Sequence, residues 1–283
     1  MKIFIWGMGL IGASLAQALR AKGHEIRGAV RSAQSRDLLL AQGFTAITTD
    51  ENEALAMLKD CDMLALGLNV GDCYRILDTV LADQALYNRL IVFDMCSTKA
   101  ELLRYVEANY RTARFIGTHP MAGKEKQGPA AAEASLFENS VVFLTPPQEH
   151  NANDLKTVET LWQSTGARTC TIDAAQHDEV MAYVSHGLHL AACVIAELSD
   201  KVAAAHLPVS AAAGSYRDMT RVATSSGEMW QGITDSNREN IADWLVSYAE
   251  RLKSLAGQVR AGNADIAGLF SEAQRIRNEI MRT

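Results

Sequence analysis

Up to about residue 173, short apolar and β-branched runs alternate with patterns of helical period, and beyond that point the chain changes to long amphipathic stretches with few turn signals. Lys2–Trp6, Glu25–Val30, Met63–Leu68 and Leu90–Asp94 read as strands, and the later runs Arg114–Gly117, Val141–Thr145 and Arg168–Ile172 finish or extend the same sheet. Leu10–Lys22 and Asp154–Gln163 carry the helical period between them, and no proline interrupts the first 119 residues. Alternation of this kind builds βαβ units, so residues 1–173 are expected to form an α/β doubly wound sheet with helices on both faces. Residues 174–283, of which Val209–Thr224 and Asn237–Val259 are typical, are expected to form an all-α C-terminal domain. A chain of 283 residues also exceeds the usual size of a single core, which favours two domains. The turn at Pro146-Pro147 is an earlier alternative to a boundary at 173.

Composition restricts what such a chain does. Hydrophobic residues make up 48% and charged residues 21%, enough to bury a core, so disorder is excluded. The net charge of −6 and the absence of Lys/Arg clusters argue against a nucleic-acid partner and leave a small ligand as the better expectation. Cys61, Cys73, Cys96, Cys170 and Cys193 form no CxxC pair and are expected to be buried, reduced thiols of a cytoplasmic protein. Lys2 ahead of an apolar run and Ala16-Gln17-Ala18 imitate an export signal, but three glycines break that run. No apolar stretch of the roughly 18 to 20 residues needed to span a bilayer is expected, and hence no membrane partner.

The three glycines carry the first functional signal. Gly7-Met8-Gly9-Leu10-Ile11-Gly12 follows an apolar strand and opens a helix, the context in which a GxGxxG pattern marks a Rossmann-type dinucleotide site. Gly7 makes the tight turn, Gly9 admits the pyrophosphate, and Gly12 lets helix and strand pack closely, while backbone N–H groups at Leu10 and Ile11 face the phosphates. An acid at the end of the second strand would bond the ribose hydroxyl of NAD, but Val30 stands there, followed by Arg31, Ser32 and Arg36. Guanidinium and hydroxyl groups suit a 2′-phosphate, so NADP is favoured, with NAD still possible. Arg31 and Arg36 as solvated loop charges is the alternative.

Three further blocks bear chemistry: Gly117-Thr118-His119-Pro120-Met121-Ala122-Gly123-Lys124-Glu125-Lys126-Gln127-Gly128, Gln176-His177-Asp178 through Ser185-His186-Gly187-Leu188-His189, and Gly214-Ser215-Tyr216-Arg217-Asp218-Met219-Thr220-Arg221 with Met229-Trp230 beyond. In this order, with the glycine turn, they resemble the prephenate and arogenate dehydrogenases of tyrosine biosynthesis over nearly the whole chain. The resemblance implies oxidative decarboxylation of a cyclohexadienyl acid, with hydride passing to NADP and the ring becoming aromatic. It implies His119 as the proton acceptor and Ser97, after the strand ending at Asp94, as a partner of the ring hydroxyl or of the histidine. Arg221 matches the clamp for the ring carboxylate, His189 and Glu125 match positions near the substrate side chain, and Trp230 helps close the pocket. Arg217, four residues before Arg221, would share its helix face. A homodimer through the C-terminal helices is expected.

Plainer readings stand beside these. His177, His186 and His206 are read as structural histidines, and no metal site is expected from His177, His186 and His189, because positions nine apart on an α-helix point to opposite faces. The chain also departs from the family's usual pattern, with Asn69 in place of a common proline and Gly187-Leu188 in place of Leu-Pro. Two alternatives remain at this point: a dehydrogenase of similar build for a related acid in a specialised pathway, and a non-catalytic NADP-binding sensor.

Overall fold

Each expected strand forms in the protein's structure, a computed structural model that describes residues 1–124, 126–205 and 212–282. The strands are β1 (Lys2–Trp6), β2 (Glu25–Ala29), β3 (Ala46–Thr48), β4 (Met63–Leu66), β5 (Ile91–Asp94), β6 (Phe115–Pro120), β7 (Val141–Thr145) and β8 (Arg168–Thr171). They join in one sheet of order β3-β2-β1-β4-β5-β6-β7-β8, parallel throughout except where β7 runs antiparallel to β6. Only β3 was not expected, since three residues are too few to show a period of two. The sheet helices are α1 (Leu10–Ala21), α2 (Ala33–Ala41), α3 (Glu51–Leu58), α4 (Val70–Leu81), α5 (Gln84–Arg89), α6 (Ala100–Asn109) and α7 (Ala152–Ser164). Strand order reverses between β1 and β4, which opens a crevice at their C-terminal ends.

Both faces of the sheet are buried, because successive residues of a strand point to opposite sides. Ile3, Ile5 and Phe93 pack with Leu15, Leu19, Phe137 and Trp162 on one face, and Phe4, Trp6 and Val92 pack with Ile76, Leu77 and Leu102 on the other. Cys61, Cys73 and Cys96 are buried as expected, whereas Cys170 and Cys193 are exposed. Cys170 lies on the edge strand β8 and Cys193 on an outward helix face, where no element among the described residues covers them.

The remaining described residues are mainly helical: α8 (Ala174–Met181), α9 (Gly187–Leu198), α10 (Asp200–Ala204), α11 (Gly214–Thr220), α12 (Gly227–Ser236), α13 (Arg238–Arg260) and α14 (Ile266–Met281). The expected helix Val209–Thr224 begins partly outside the described residues, and its described part is α11 followed by a 3-10 turn, Arg221–Thr224. A single π turn, Ala182–His186, joins α8 to α9. The helical run Ala174–Val202 is, by length and composition alone, apolar enough to cross a membrane, contrary to the expectation that no such stretch exists. Its buried positions nevertheless include His177, Asp178 and His186, all engaged by other parts of the chain. At Gly187 the Trp244 ring of α13 lies where a Cβ would be, so the glycine of this unusual Gly-Leu pair is needed for α9 and α13 to approach. Little else packs around α13 and α14: of the first only Ile241 and Trp244 are buried, and of the second no residue.

Lys99 ties the ends of β5 and β6 together. Its side chain is 1% exposed, forms an ion pair with the fully buried Asp94, and donates to the Thr118 carbonyl at 2.7 Å. Asp94 in turn accepts from the Thr118 N–H at 3.1 Å and the Cys96 N–H at 2.9 Å. Removing one member of such a pair strands the other charge, so Lys99→Met should lower the unfolding free energy by about 3–5 kcal/mol, measured by urea denaturation. Adding Asp94→Asn should recover part of that loss. A loss under about 1 kcal/mol for the single variant would show that the pair does not hold these strand ends.

Candidate active site

The glycine turn leaves β1 at the crevice. Gly7 has φ of +92°, a conformation that side chains avoid, and its N–H donates to the Ala29 carbonyl of β2 at 2.9 Å. Gly9 starts α1 without any side-chain cap, and the space in front of its Cα is open, while Gly12 is buried against the turn. Leu10 and Ile11 form the first turn of α1, so uncapped N–H groups and the positive end of the helix dipole face the crevice. These features fit a dinucleotide pyrophosphate. At the end of β2, Val30 is buried, Arg31 and Ser32 are exposed, and Ser32 caps α2 through the Ser35 N–H. Arg36 is paired with Asp37 at 2.8 Å.

Three strand spacings of about 4.8 Å separate β1 from β6, roughly 14 Å across the C-terminal edge of the sheet. His119 lies there, near the end of β6, and is 8% exposed. Ser97 lies in the segment between β5 and α6, beyond the end of the strand adjacent to β6, and is half-buried. Its neighbour Thr98 reaches α12, where its hydroxyl is 2.8 Å from the Ser236 hydroxyl.

Behind His119 runs a chain of hydrogen bonds that motif reading missed. His119 Nδ1 is 2.9 Å from His177 Nε2, and His177 Nδ1 is 2.7 Å from Asp178 Oδ1. The Asp178 carboxylate also accepts from the Lys99 N–H at 2.8 Å and the Ala100 N–H at 2.9 Å, and so caps α6 from the helical half of the chain. A carboxylate already receiving two backbone N–H groups is an acceptor towards His177, which places the His177 proton on Nδ1. With both imidazoles neutral, His177 Nε2 then accepts from His119 Nδ1–H, and the remaining nitrogen of His119, Nε2, is a bare base. Burial holds the His119 pKa well below the usual histidine value, and a positive charge on His177, Lys99 or His186 acts in the same direction. The ring is therefore neutral and able to accept a proton at neutral pH.

His186 and His189 extend this cluster into the helical half. Nine α-helical steps of about 100° would set His177 and His186 on opposite faces, but the π turn absorbs one extra residue and leaves them about 80° apart. The expectation of opposite faces fails for that reason, and both rings lie within electrostatic reach of each other. His186 Nδ1 is 3.0 Å from Asn237 Nδ2, and burial pushes its pKa down to about 4. His189 stacks on Trp230 with ring centroids 4.0 Å apart, and its pKa is lowered by burial and then by the Arg221 charge, against the opposing bond to the Ser185 carbonyl. His186 packs edge to face with Trp230, and it lies within electrostatic reach of His119, as His189 does of Arg221. Arg217 makes a different contact: its guanidinium turns back towards the Ala212 carbonyl at 3.4 Å. Glu125 and His206 lie outside the described residues.

Fold and site together define an oxidoreductase with a nucleotide-binding sheet and a histidine base beside it. Residues 15–171 match the family model described as prephenate dehydrogenase, nucleotide-binding domain, and residues 173–273 match the one described as prephenate dehydrogenase, dimerization domain. A prephenate dehydrogenase of Lactococcus lactis is 30% identical over 98% of this chain and 76% of its own length, and a cyclohexadienyl dehydrogenase of Zymomonas mobilis is 30% identical over 97% and 94%. The crystal structure of prephenate dehydrogenase from A. aeolicus with hydroxyphenyl propionate and NAD+ superposes with a TM-score of 0.85 at 28% identity, covering 99% of this chain and 98% of that one. The chain belongs to the prephenate dehydrogenase family. Its reaction is an oxidative decarboxylation with hydride transfer to a nicotinamide cofactor.

If Asp178 sets the tautomers behind His119, an amide there should be harmful even though it is isosteric. Three donors converge on the carboxylate, so the NH2 of Asp178→Asn must face one of them. The expected result is a loss of roughly 10²-fold or more in kcat with little change in cofactor affinity, read by steady-state kinetics and by cofactor titration. A variant with most of its kcat intact would remove Asp178 from the catalytic machinery.

Proposed function

We propose that this chain oxidatively decarboxylates prephenate, arogenate or both, with NADP preferred over NAD, to give 4-hydroxyphenylpyruvate or tyrosine. The observation that carries this reading is the base chain Asp178–His177–His119, which ends at the C-terminal edge of β6 across from the glycine turn. When bound, the cofactor accepts a hydride from the ring carbon that bears the hydroxyl.

His119 Nε2 takes the hydroxyl proton as that hydride leaves, and carbon dioxide departs from the opposite carbon as the ring becomes aromatic. The imidazolium that forms passes charge through Nδ1 towards His177 and Asp178, which offsets the cost of protonating a buried ring. Ser97 bonds the ring hydroxyl or His119 and orients the pair. Arg221 holds the ring carboxylate, His189 faces the substrate side chain, Trp230 covers it, and Glu125 is assigned to the recognition of the same side chain. Arg217 is assigned no direct contact. Gly7, Gly9, Leu10, Ile11 and Gly12 hold the pyrophosphate, and Arg31 with Ser32 meets the 2′-phosphate. Arg36, already paired with Asp37, contributes less than Arg31.

The division into a dinucleotide-binding part, residues 1–173, and a helical substrate and dimerisation part, residues 174–283, belongs to the same proposal. Exposed apolar side chains on its helices, among them Leu198, Val246, Leu252, Phe270 and Met281, support pairing with a second copy. The protein is placed in the cytoplasm.

Absorbance of NADPH or NADH, followed with prephenate and with arogenate, tests substrate and cofactor together. Turnover with at least one acid and a higher kcat/KM for NADP+ are expected, and turnover should weaken only well below pH 6.5, where His119 takes up a proton and ceases to be a base. No turnover in any of the four combinations would overturn the substrate assignment, and a preference for NAD+ would overturn the role of Arg31.

A further inference from the structure

Two buried donors in the helical half of the site have no acceptor among the described residues: His186 Nε2 and Trp230 Nε1. Their rings lie edge to face with centroids 6.0 Å apart, and His189, stacked on Trp230 at 4.0 Å, lies within electrostatic reach of Arg221. A buried N–H without a partner costs on the order of 1–3 kcal/mol, so two beside each other call for a shared explanation.

Whether His186 Nε2 carries a proton is decided by Asn237. This residue is 4% exposed and sits between α12 and α13. Its Nδ2 is 2.8 Å from the Asp178 carbonyl oxygen, and its Oδ1 accepts from Asn240 Nδ2 at 2.8 Å. A carbonyl oxygen only accepts, so the amide NH2 is the group that faces it, and the amide orientation follows from the network. The second N–H of the same NH2 points to His186 Nδ1 at 3.0 Å, which makes Nδ1 an acceptor. The His186 proton therefore sits on Nε2.

We propose that His186 donates this Nε2–H to an acceptor oxygen of the substrate, that the Trp230 indole N–H serves the same group, and that Asn237 is the positioning residue that holds His186 as a donor. The identity of the substrate rests on the dehydrogenase reading above. The group received is a carboxylate or keto oxygen, since an ammonium would bring only further donors to a place that already has two. With the imidazole already neutral at assay pH, His186 stays an Nε2–H donor without changing its charge.

The test uses the full chain with nicotinamide cofactor bound, labelled with 15N in its histidine and tryptophan rings, and hydroxyphenyl propionate as the probe. NMR should find His186 protonated on Nε2 before the probe is added, and both the His186 Nε2–H and Trp230 Nε1–H signals should shift on titration. In kinetics, His186→Leu should raise the KM for the acid by on the order of 10- to 100-fold, more than it alters kcat. His186→Gln, whose amide N–H reaches a similar place, should recover most of that loss, and Asn237→Leu should leave His186 in mixed tautomers with an intermediate KM. Protonation on Nδ1, no shift of the His186 signal at millimolar probe, or an unchanged KM in the leucine variant would overturn the assignment. If the chain turns over neither acid while both N–H signals still shift with the probe, the substrate reading fails and the donor assignment stands.

Discussion

The carboxylate of Asp178 is the contact on which the site depends, because it joins the two parts of the chain and orders the protons between them. It begins in α8, yet it caps the first turn of α6 in the sheet part by accepting the Lys99 and Ala100 N–H groups. The same oxygen that binds the Lys99 N–H receives the His177 ring. Docking of the helices and orientation of the base are therefore one structural event. A group on a rigid helix that is held by two backbone donors has little freedom to reorient, which is what keeps a base aimed at one place.

Other features hold the two sides of this contact in position. On the sheet side, the buried Lys99–Asp94 pair and the bond from Lys99 to the Thr118 carbonyl fix the loop before α6 against β6, immediately before His119. On the helical side, the π turn at Ala182–His186 shifts the phase of the helix so that His177 and His186 turn towards one region. The close approach of Trp244 to Gly187 then packs this distorted segment against α13, whose start is marked by Asn237. A π turn makes poorer use of backbone bonds than an α-helix, and one at this place is accounted for by the ring orientations it produces.

How much of this the sequence revealed follows from which features are local. The strands, the glycine turn and the change to helices near residue 173 are written in neighbouring residues, and they emerge where expected apart from the three-residue β3. His119 stood out through the motif around it. His177 did not, and was read as structural, because no spacing along the chain shows that α8 packs behind β6; the adjacent His177-Asp178 doublet was the one available signal. The relation of His177 to His186 was misjudged because ideal helical periodicity has no place for a π turn. Asn237 was legible only as the start of a helix, and its contact with His186 spans 51 positions.

The central claim is that Asp178, acting through His177, leaves His119 with an unprotonated Nε2. The most direct measurement is the tautomeric state of His119 and His177 in the resting protein at neutral pH, read from long-range 15N–1H NMR correlations of the ring nitrogens. The account predicts that both rings are neutral and protonated on Nδ1, and that replacing Asp178 with Asn disturbs this pattern. A resting His119 protonated on Nε2 would contradict it, because that nitrogen could not then accept the hydroxyl proton.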